Sequence, residues 1–476
     1  GLTVVIETAF AAGTQEGDVT VGQSIAKTSG GAATIELRAN DDVFFSGGAD
    51  LTSTTGTLTI LLNADRDANN DGEIRIESGS VLSSFGGAVT LGGGADPATA
   101  QAVKVDVQSG STVSSRPISG SNFDTDASTA ASGAVKLNAK AIVIGGSIFA
   151  HASAGQTAGD VTARATATST SETAMNTVSI LIDGGTVKGG KLDFVAGSTI
   201  TASKTENTAT RIDVTSTASV AVQGASVIVS ANDAIFRATS TVSATTTANA
   251  MSGSGTSGID AAGAESLVNS TTSVLLAGSS NLTVDGTLTI DSANTRTVSA
   301  TSDGTFGGST TVGGSIARTK ITGDTTAGLA SSVSVASAME IDIFATATDL
   351  LTTNAKATSG GATANNMSTQ QMLANNDAST ADGSITVTAA FALAERSGST
   401  KAFIESDQLV KATNAIDVEA KTRTQSTTTA DGSTVTSTGN SGSPGVGAAV
   451  AISLPTISDE AYLDRSVRLE AQNINV

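Results

Sequence analysis

Short segments in which apolar and polar residues alternate recur along most of the chain. Examples are Ile35-Glu-Leu37, Ile74-Arg-Ile76 and Val103-Lys-Val105-Asp-Val107, with glycine, asparagine, aspartate or serine in nearly every gap. Alternation with a period of two places every second side chain on one face of a strand. The pattern therefore predicts many short β-strands joined by Gly/Ser/Thr/Asn-rich turns. The one helical candidate is a short turn within Asn366–Leu373 (NMSTQQML).

A longer repeat appears in the second half of the chain. An apolar residue is followed by others 6, 12 and 14 positions later, as in Leu276, Leu282, Leu288 and Ile290. Strand segments that repeat through a Gly-rich chain are typical of a solenoid, in which no coil can bury its apolar face alone. We predict a solenoid of short coils over residues 1–150, continuous with one of longer cassettes over 151–476. With roughly 20–25 residues per coil, the chain would form ~20 coils and a rod of about 100 Å.

The composition favours a narrow interior. Hydrophobic residues make up 39% of the chain but aromatic residues only 3%, so the core consists of valine, isoleucine, leucine and alanine. Such side chains suit sheets that face each other closely. Parallel pairing through helical crossovers would need helices, which the pattern does not offer. The predicted fold is therefore all-β, an elongated parallel β-helix (β-solenoid); an antiparallel sandwich array stays open for the longer cassettes.

Charge and residue usage exclude several classes of function. The net charge of −19 argues against nucleic-acid and anionic-membrane partners, and no apolar run approaches the ~18 residues of a membrane span. The chain has no cysteine, and His151 is its one imidazole, without a nucleophile elbow in the sequence. The GxxxxGK run within Gly184–Leu192 lacks the hydroxyl residue and the helix that a phosphate-binding loop needs. We therefore expect a non-enzymatic protein.

One acidic loop has the spacing of a candidate calcium site. Hard oxygen ligands at alternate positions, followed by Gly72, can wrap one Ca²⁺ ion. The alternative is a polar turn, because Asp and Asn turn chains unaided. The four candidate ligands are Asp65, Asp67, Asn69 and Asp71.

Other acidic residues and hydroxyl-rich runs leave further alternatives. Asp41, Asp42 and Asp50 could converge on a neighbouring coil. The Ser/Thr runs at Ala163–Thr173 and Thr241–Thr247 have three interpretations: polar strand faces, hydroxyl ladders between coils, or acceptors for O-glycosylation. The first two are favoured.

Three segments carry a resemblance to known families. Gly17–Val43 and Gly86–Ala100 resemble coils of filamentous-haemagglutinin-like, two-partner-secreted exoproteins, and Gly442–Val476 resembles the Gly/Ala-rich cassettes of very large bacterial surface adhesins. The resemblance implies a right-handed parallel β-helix that is exported to the outer cell surface or the medium. It also implies a role in adhesion or as a structural filament.

The expected function follows from the fold and this resemblance. We expect a structural segment of a giant bacterial extracellular protein, acting as a stiff rod in adhesion or as the body of a filament. Expected partners are the chain itself, by end-to-end stacking or as a continuation of the same longer chain, and host or neighbouring cell-surface glycans. The alternative is a polysaccharide-binding or polysaccharide-cleaving β-helix. Calcium is the one cofactor considered.

Overall fold

The computed structural model of the protein is an all-β parallel solenoid, as the alternation predicts. It describes residues 1–8, 17–67, 69, 71–93, 102–118, 122–124, 130–152, 156–255, 258–308, 310–359, 385–432 and 445–476, and these contain no helix. The predicted turn at Asn366–Leu373 lies outside the described residues. No strand pairing recorded among the described residues is antiparallel, so the sandwich alternative is wrong for this part of the chain.

The chain winds through three parallel sheets, which we call faces 1, 2 and 3. Face 1 contains β1 (Leu2–Glu7), β4 (Ala33–Arg38), β7 (Leu58–Ala64), β10 (Val89–Gly93), β13 (Val135–Ile144), β15 (Val161–Ser169), β18 (Leu192–Glu206), β21 (Ala234–Gly255), β24 (Thr287–Gly308), β28 (Glu340–Ser359), β31 (Ala415–Asp431) and β34 (Asn473–Asn475). Face 2 contains β2 (Val19–Val21), β5 (Val43–Phe45), β8 (Glu73–Ile76), β11 (Ala102–Val107), the second half of β13, β16 (Met175–Asp183), β19 (Ala209–Gln223), β22 (Gly258–Leu276), β25 (Thr310–Thr322), β26 (Thr325–Leu329), β29 (Ile385–Ile404) and β32 (Gly445–Leu463). Face 3 contains β3 (Ile25–Lys27), β6 (Leu51–Ser53), β9 (Val81–Ser83), β12 (Thr112–Ser114), β14 (Ser147–Phe149), β17 (Thr186–Gly189), β20 (Val227–Ser230), β23 (Asn281–Val284), β27 (Ser334–Ser337), β30 (Leu409–Lys411) and β33 (Arg468–Glu470).

The apolar core is a set of columns that run along the fibre axis. Each strand pairs in register with the strand one coil away, so inward positions stack on inward positions. The longest column contains only aliphatic side chains and crosses residue 150 without interruption. Its members are Ile35, Ile60, Val89, Val135, Val161, Leu192, Ala234, Leu288, Ile341, Ile416 and Ile474.

The apolar residues that repeat at 6, 12 and 14 positions are those that stack on their counterparts in the next coil. Leu276 pairs with Leu329, and Leu329 pairs with Ile404 one coil later. Leu282 and Leu288 likewise lie under the matching residues of the next coil. The repeat therefore marks one constant part of each coil, which leaves face 2, forms face 3 and enters face 1.

The predicted coil number is wrong. Face 3 has eleven strands among the described residues, one for each coil, which gives a body of about 50 Å at ~4.8 Å per coil. Ala33 pairs with Leu58 only 25 residues later, whereas Ile341 pairs with Ile416 after 75 residues. Faces 1 and 2 lengthen, from 6 residues in β1 to 22 residues in β21, and this supplies much of the difference; the coil from Ile341 to Ile416 also includes residues 360–384, which lie outside the described residues.

The lengthened strands form a two-layer extension beside the three-sided core. In it, β21, β24 and β28 of face 1 pack against β22, β25 and β29 of face 2. Two separate apolar clusters lie between these layers, and the outer one consists only of alanine. Alanine fits there because two sheets without a third side can approach closely when their facing side chains are small. The outer cluster comprises Ala248, Ala250, Ala262, Ala264, Ala300, Ala317, Ala355, Ala357, Ala390 and Ala392.

Buried hydroxyl groups separate the main core from these clusters. Ser216 Oγ bonds to Ser198 Oγ at 2.7 Å and to Ser240 Oγ at 2.6 Å, and Ser240 Oγ bonds to Ser270 Oγ at 2.8 Å. Ser270 then donates to Asn294 Oδ1 at 2.8 Å, so the chain of bonds crosses between faces 1 and 2 at every step. Buried hydroxyls need such partners because an unpaired one costs about 1–3 kcal/mol.

The run Thr241–Thr247 lies within β21, whereas Ala163–Thr173 lies in β15 only as far as Ser169. Within Thr241–Thr247, Thr246 is buried and its hydroxyl bonds to Ser266 Oγ at 2.8 Å, while Thr241 is exposed. The strand-face interpretation therefore holds for this run. The Thr246–Ser266 bond joins opposite layers and not stacked coils, so hydroxyl ladders between coils and O-glycosylation stay predictions.

The alanine cluster predicts a sharp size limit inside the extension. We expect Ala264→Leu to destabilise the protein by roughly 1–3 kcal/mol, because added methylene groups must force the two layers apart. Ala261→Leu is the matched control, since Ala261 is exposed on the same strand β22. Denaturant or thermal unfolding midpoints measure the difference. Equal midpoints for the two variants would contradict close packing of these layers.

Candidate functional site

Three carboxylates from adjoining coils meet at the corner between faces 1 and 2. Asp18 precedes β2 in the first coil, and Asp41 and Asp42 lie between β4 and β5 in the second. One oxygen of each lies within 4.8 Å of the others, and this is the one such group of three potential metal ligands among the described residues. Asp18 is exposed and the other two are half-buried. We call this group the acidic corner.

The predicted calcium loop lies over the acidic corner in the third coil. The Asp65 N–H donates to the Asp41 carbonyl oxygen at 3.0 Å, and Asp65 is buried with a left-handed φ of 56°. Gly72 closes the loop with φ 130°, and a Cβ there would lie 2.6 Å from Asp41 O and from Asp65 N. Glycine is needed because the loop backbone packs directly on the coil below it.

The remaining predicted ligands are at the exposed tip of the loop. Asn69 Nδ2 donates to Asp67 Oδ2 at 3.3 Å, and the Asp71 N–H donates to Asn69 Oδ1 at 2.8 Å. These bonds are those of an Asx-type turn. Asp65, Asp67 and Asp71 are not among the carboxylates that the described structure groups within ligand distance of one another. Asx-type bonds turn the chain here, calcium binding by this loop stays a prediction, and the convergent carboxylates lie beneath it.

Asp50 does not join Asp41 and Asp42, although the sequence allowed it. It lies before β6, where its Oδ1 accepts the Val81 N–H at 2.9 Å. Asp18 takes the third position, and sequence reasoning missed it. Asp18 lies beside Asp42 because of the length of the coil between them, and that length could not be predicted from the sequence.

The acidic corner has the electrostatics of a cation site. Burial raises the pKa of Asp42, and the neighbouring charges of Asp18 and Glu73 raise it further. The Glu73 N–H, which donates to Asp42 Oδ1 at 2.6 Å, has the opposite effect and lowers this pKa. A carboxyl group whose pKa is raised on folding contributes less to stability as the pH rises through that pKa. A bound cation would remove this penalty, and oxygen ligands of this kind suit Ca²⁺.

His151 is half-buried and contacts a loop. Its Nε2 lies 2.8 Å from the Asp124 carbonyl oxygen, and its ring packs edge-on against Phe149. Burial lowers the pKa of His151, which disfavours the charged form. Lys188 Nζ, 2.5 Å from Asp124 Oδ1, also holds this loop. The GxxxxGK run forms strand β17 and leads into β18, which agrees with its rejection as a phosphate-binding loop.

The first coil presents apolar side chains along its open edge. Leu2 is 70% exposed, and Val4, Ile6 and Ile25 are also exposed. They line a groove whose floor includes Leu51 and Leu58 of the following coils. Among the described strands, β1 pairs with β4 and with no strand on its other side, so this edge can accept a further strand.

The last coil presents a much longer open edge. All 19 residues of β32 pair with β29 on one side, and no described strand pairs with the other side. In face 1, Ala415–Asp417 is the one part of β31 that another described strand, β34, covers on this side. Val446, Val450 and Leu454 of β32 are exposed. The two ends of the described solenoid therefore differ in width and both expose unpaired strand edges.

Comparison of the chain with models of protein families, with curated proteins and with solved structures gives no match. The described residues include no helix with the length and apolar character needed to cross a bilayer. The acidic corner, the open ends and the interior of the solenoid are therefore the features that bear on function.

The acidic corner predicts a specific response to calcium. In chelator, we expect Asp42→Asn to stabilise the protein by on the order of 0.5 kcal/mol, the size of an exposed charge pair, because like charges are relieved while the bond from the Glu73 N–H is kept. Added calcium should raise the melting temperature of the wild type, and that of Asp42→Asn less.

Asp50→Asn is the control for this experiment. Asp50 also accepts a backbone N–H but lies outside the acidic corner, so its variant should respond to calcium like the wild type. If the wild type and Asp42→Asn respond to calcium equally, the acidic corner does not bind the ion.

Proposed function

We propose that this chain is a stiff, non-enzymatic rod segment of a larger extracellular or cell-surface protein, and that it acts as a stalk. Its partners are further coils of the same longer chain, which would cover the open edges of β1 and β32. Cell-surface glycans would be contacted elsewhere in such a protein. The proposal rests on the fold and on the unequal shape of the two ends.

Stiffness follows from the direction of the hydrogen bonds. Every face is a parallel ladder whose bonds join one coil to the next, so the ladder runs along the rod. The columns of buried aliphatic side chains run in the same direction. Bending the rod must therefore stretch bonds and open the packed interior on its convex side.

The unequal ends favour a stalk over a filament of identical copies. A head-to-tail stack would place the first coil, with 6 residues in β1 and 3 in β2, on the last coil. That coil presents the 17-residue β31 and the 19-residue β32. Most backbone groups at such a junction would stay unpaired, and each buried one would carry a cost. Continuation by a coil with long strands would instead pair them.

The charge of the surface agrees with an exposed rod. A net charge of −19 keeps a large surface soluble and works against side-by-side association of copies. It also disfavours contacts with phosphate backbones and anionic lipid surfaces, so nucleic acid and membrane insertion are not part of the proposal.

The state of association tests this proposal. We expect the purified chain to give single short bodies in electron micrographs, with a mass in sedimentation that does not grow without limit as concentration rises. Long filaments with an axial repeat of about 50 Å, the length of eleven coils, would instead support the filament and contradict the stalk.

Two variants sharpen this test. Val4→Lys places a charge in the groove of the first coil, and Ala451→Lys places one on the inward row of β32. The stalk proposal expects neither variant to change the distribution of masses. If either variant shortened existing polymers, head-to-tail stacking would be the function of these ends.

A further inference from the structure

A cluster of three charged residues is buried in the two-layer extension. Arg296 on β24, Asp349 on β28 and Arg396 on β29 have side chains that are 0%, 0% and 1% exposed. Arg296 Nε lies 2.5 Å from Asp349 Oδ1, and Arg396 Nε lies 2.5 Å from Asp349 Oδ2. One carboxylate thus joins two guanidinium groups that come from opposite layers.

The cluster occupies a break in face 2. Strand β25 ends at Thr322 and β26 begins at Thr325, and Arg296 Nη1 donates to the Gly323 carbonyl oxygen between them at 3.2 Å. In the next coil, Gly398 has φ 139°, and a Cβ there would lie 2.8 Å from Arg396 Nη1. The two guanidinium groups therefore approach the same break, and glycine makes room for them.

The charge of this cluster is not balanced. Two arginines and one aspartate leave one positive charge inside the protein, because arginine stays protonated when buried. Asp324 is the nearby acidic residue that acts on Arg296. It is exposed, and its Oδ1 already accepts the Ser399 N–H at 2.7 Å. An uncompensated buried charge costs several kcal/mol.

The hydrogen bonds of the cluster are incomplete in the same place. Arg296 Nη2 and both Nη atoms of Arg396 are buried and have no acceptor in the described structure. Asp349 is fully engaged, since Thr424 Oγ1 also lies 3.3 Å from its Oδ2. Three donor nitrogen atoms therefore lack an acceptor, and one positive charge lacks a negative charge to balance it.

We infer that this break binds a small monovalent anion of halide size, held by the free Nη groups of Arg296 and Arg396. One such ion supplies both the missing charge and an acceptor for several N–H donors. The site lies between two packed layers, where a larger oxyanion would have to separate the strands. The ion would tie β24 of one layer to β29 of the other, beside the bonds that Asp349 of β28 already makes to both arginines, and so would act as a structural part of the extension.

Bromide provides a direct probe of this site. Crystals of the whole chain grown or soaked in sodium bromide should show an anomalous scattering peak within about 3.5 Å of the Nη atoms of Arg296 and Arg396. In solution, the melting temperature should rise with the logarithm of chloride or bromide concentration, relative to sodium gluconate at equal ionic strength.

Arg396→Met removes the surplus charge and leaves the neutral pair of Arg296 and Asp349. This variant should lose the halide dependence. Arg237→Met is the matched control, because Arg237 is partly exposed and pairs with Asp291 at 2.8 Å on the outer side of face 1. The control should keep the halide dependence of the wild type.

Water in place of an ion would give a different result. In that case the melting temperature would not distinguish halide from gluconate, and the bromide crystals would show no anomalous peak at the break. Either result overturns the inference. The crystal measurement uses the unmodified chain, so it decides the question even if Arg396→Met fails to fold.

Discussion

Each coil of this protein pairs its backbone with the coil before it, residue by residue and in parallel. This in-register stacking places like positions on top of one another along the whole axis. An inward position must therefore be filled by a side chain that packs on its own counterpart one coil away. Aliphatic residues satisfy this requirement without partners, which explains the long column from Ile35 to Ile474. A polar residue that enters the interior needs a hydrogen-bond partner, which lies in its own turn, in a neighbouring coil or in the opposite layer.

The extension shows how the chain meets that requirement away from the three-sided core. Where face 3 does not close the coil, the two layers lie close together, and small side chains fill the narrow space between them. Serine, threonine and alanine share a small volume, but the hydroxyls must be bonded. The bonds from Ser198 through Ser216, Ser240 and Ser270 satisfy them by crossing between layers. A composition that looks like that of a loop thus builds a packed interior.

The sequence predicted the strands, the parallel stacking and one constant part of the coil, because these depend on local alternation and on fixed spacing. It did not predict the coil length. The variable part of each coil consists of Ser/Thr/Ala strands, in which inward and outward residues differ little in hydrophobicity. Without coil length, no contact between coils can be assigned. Asp18 therefore could not be placed beside Asp42, and Arg296, Asp349 and Arg396 lie 53 and 47 residues apart along the chain.

The two ionic clusters arise from the same stacking and differ in where the charges lie. At the corner between faces 1 and 2, successive coils place like charges together, and Asp18, Asp41 and Asp42 can stay near water. Inside the extension, water cannot screen charge, so Asp349 lies between two arginines. The Asp349 carboxylate offsets the repulsion between the two arginines, but one positive charge stays uncompensated. Stacked coils bring charged residues together without requiring that their charges sum to zero. The small ions that we propose would balance both groups, a cation at the acidic corner and an anion within the extension.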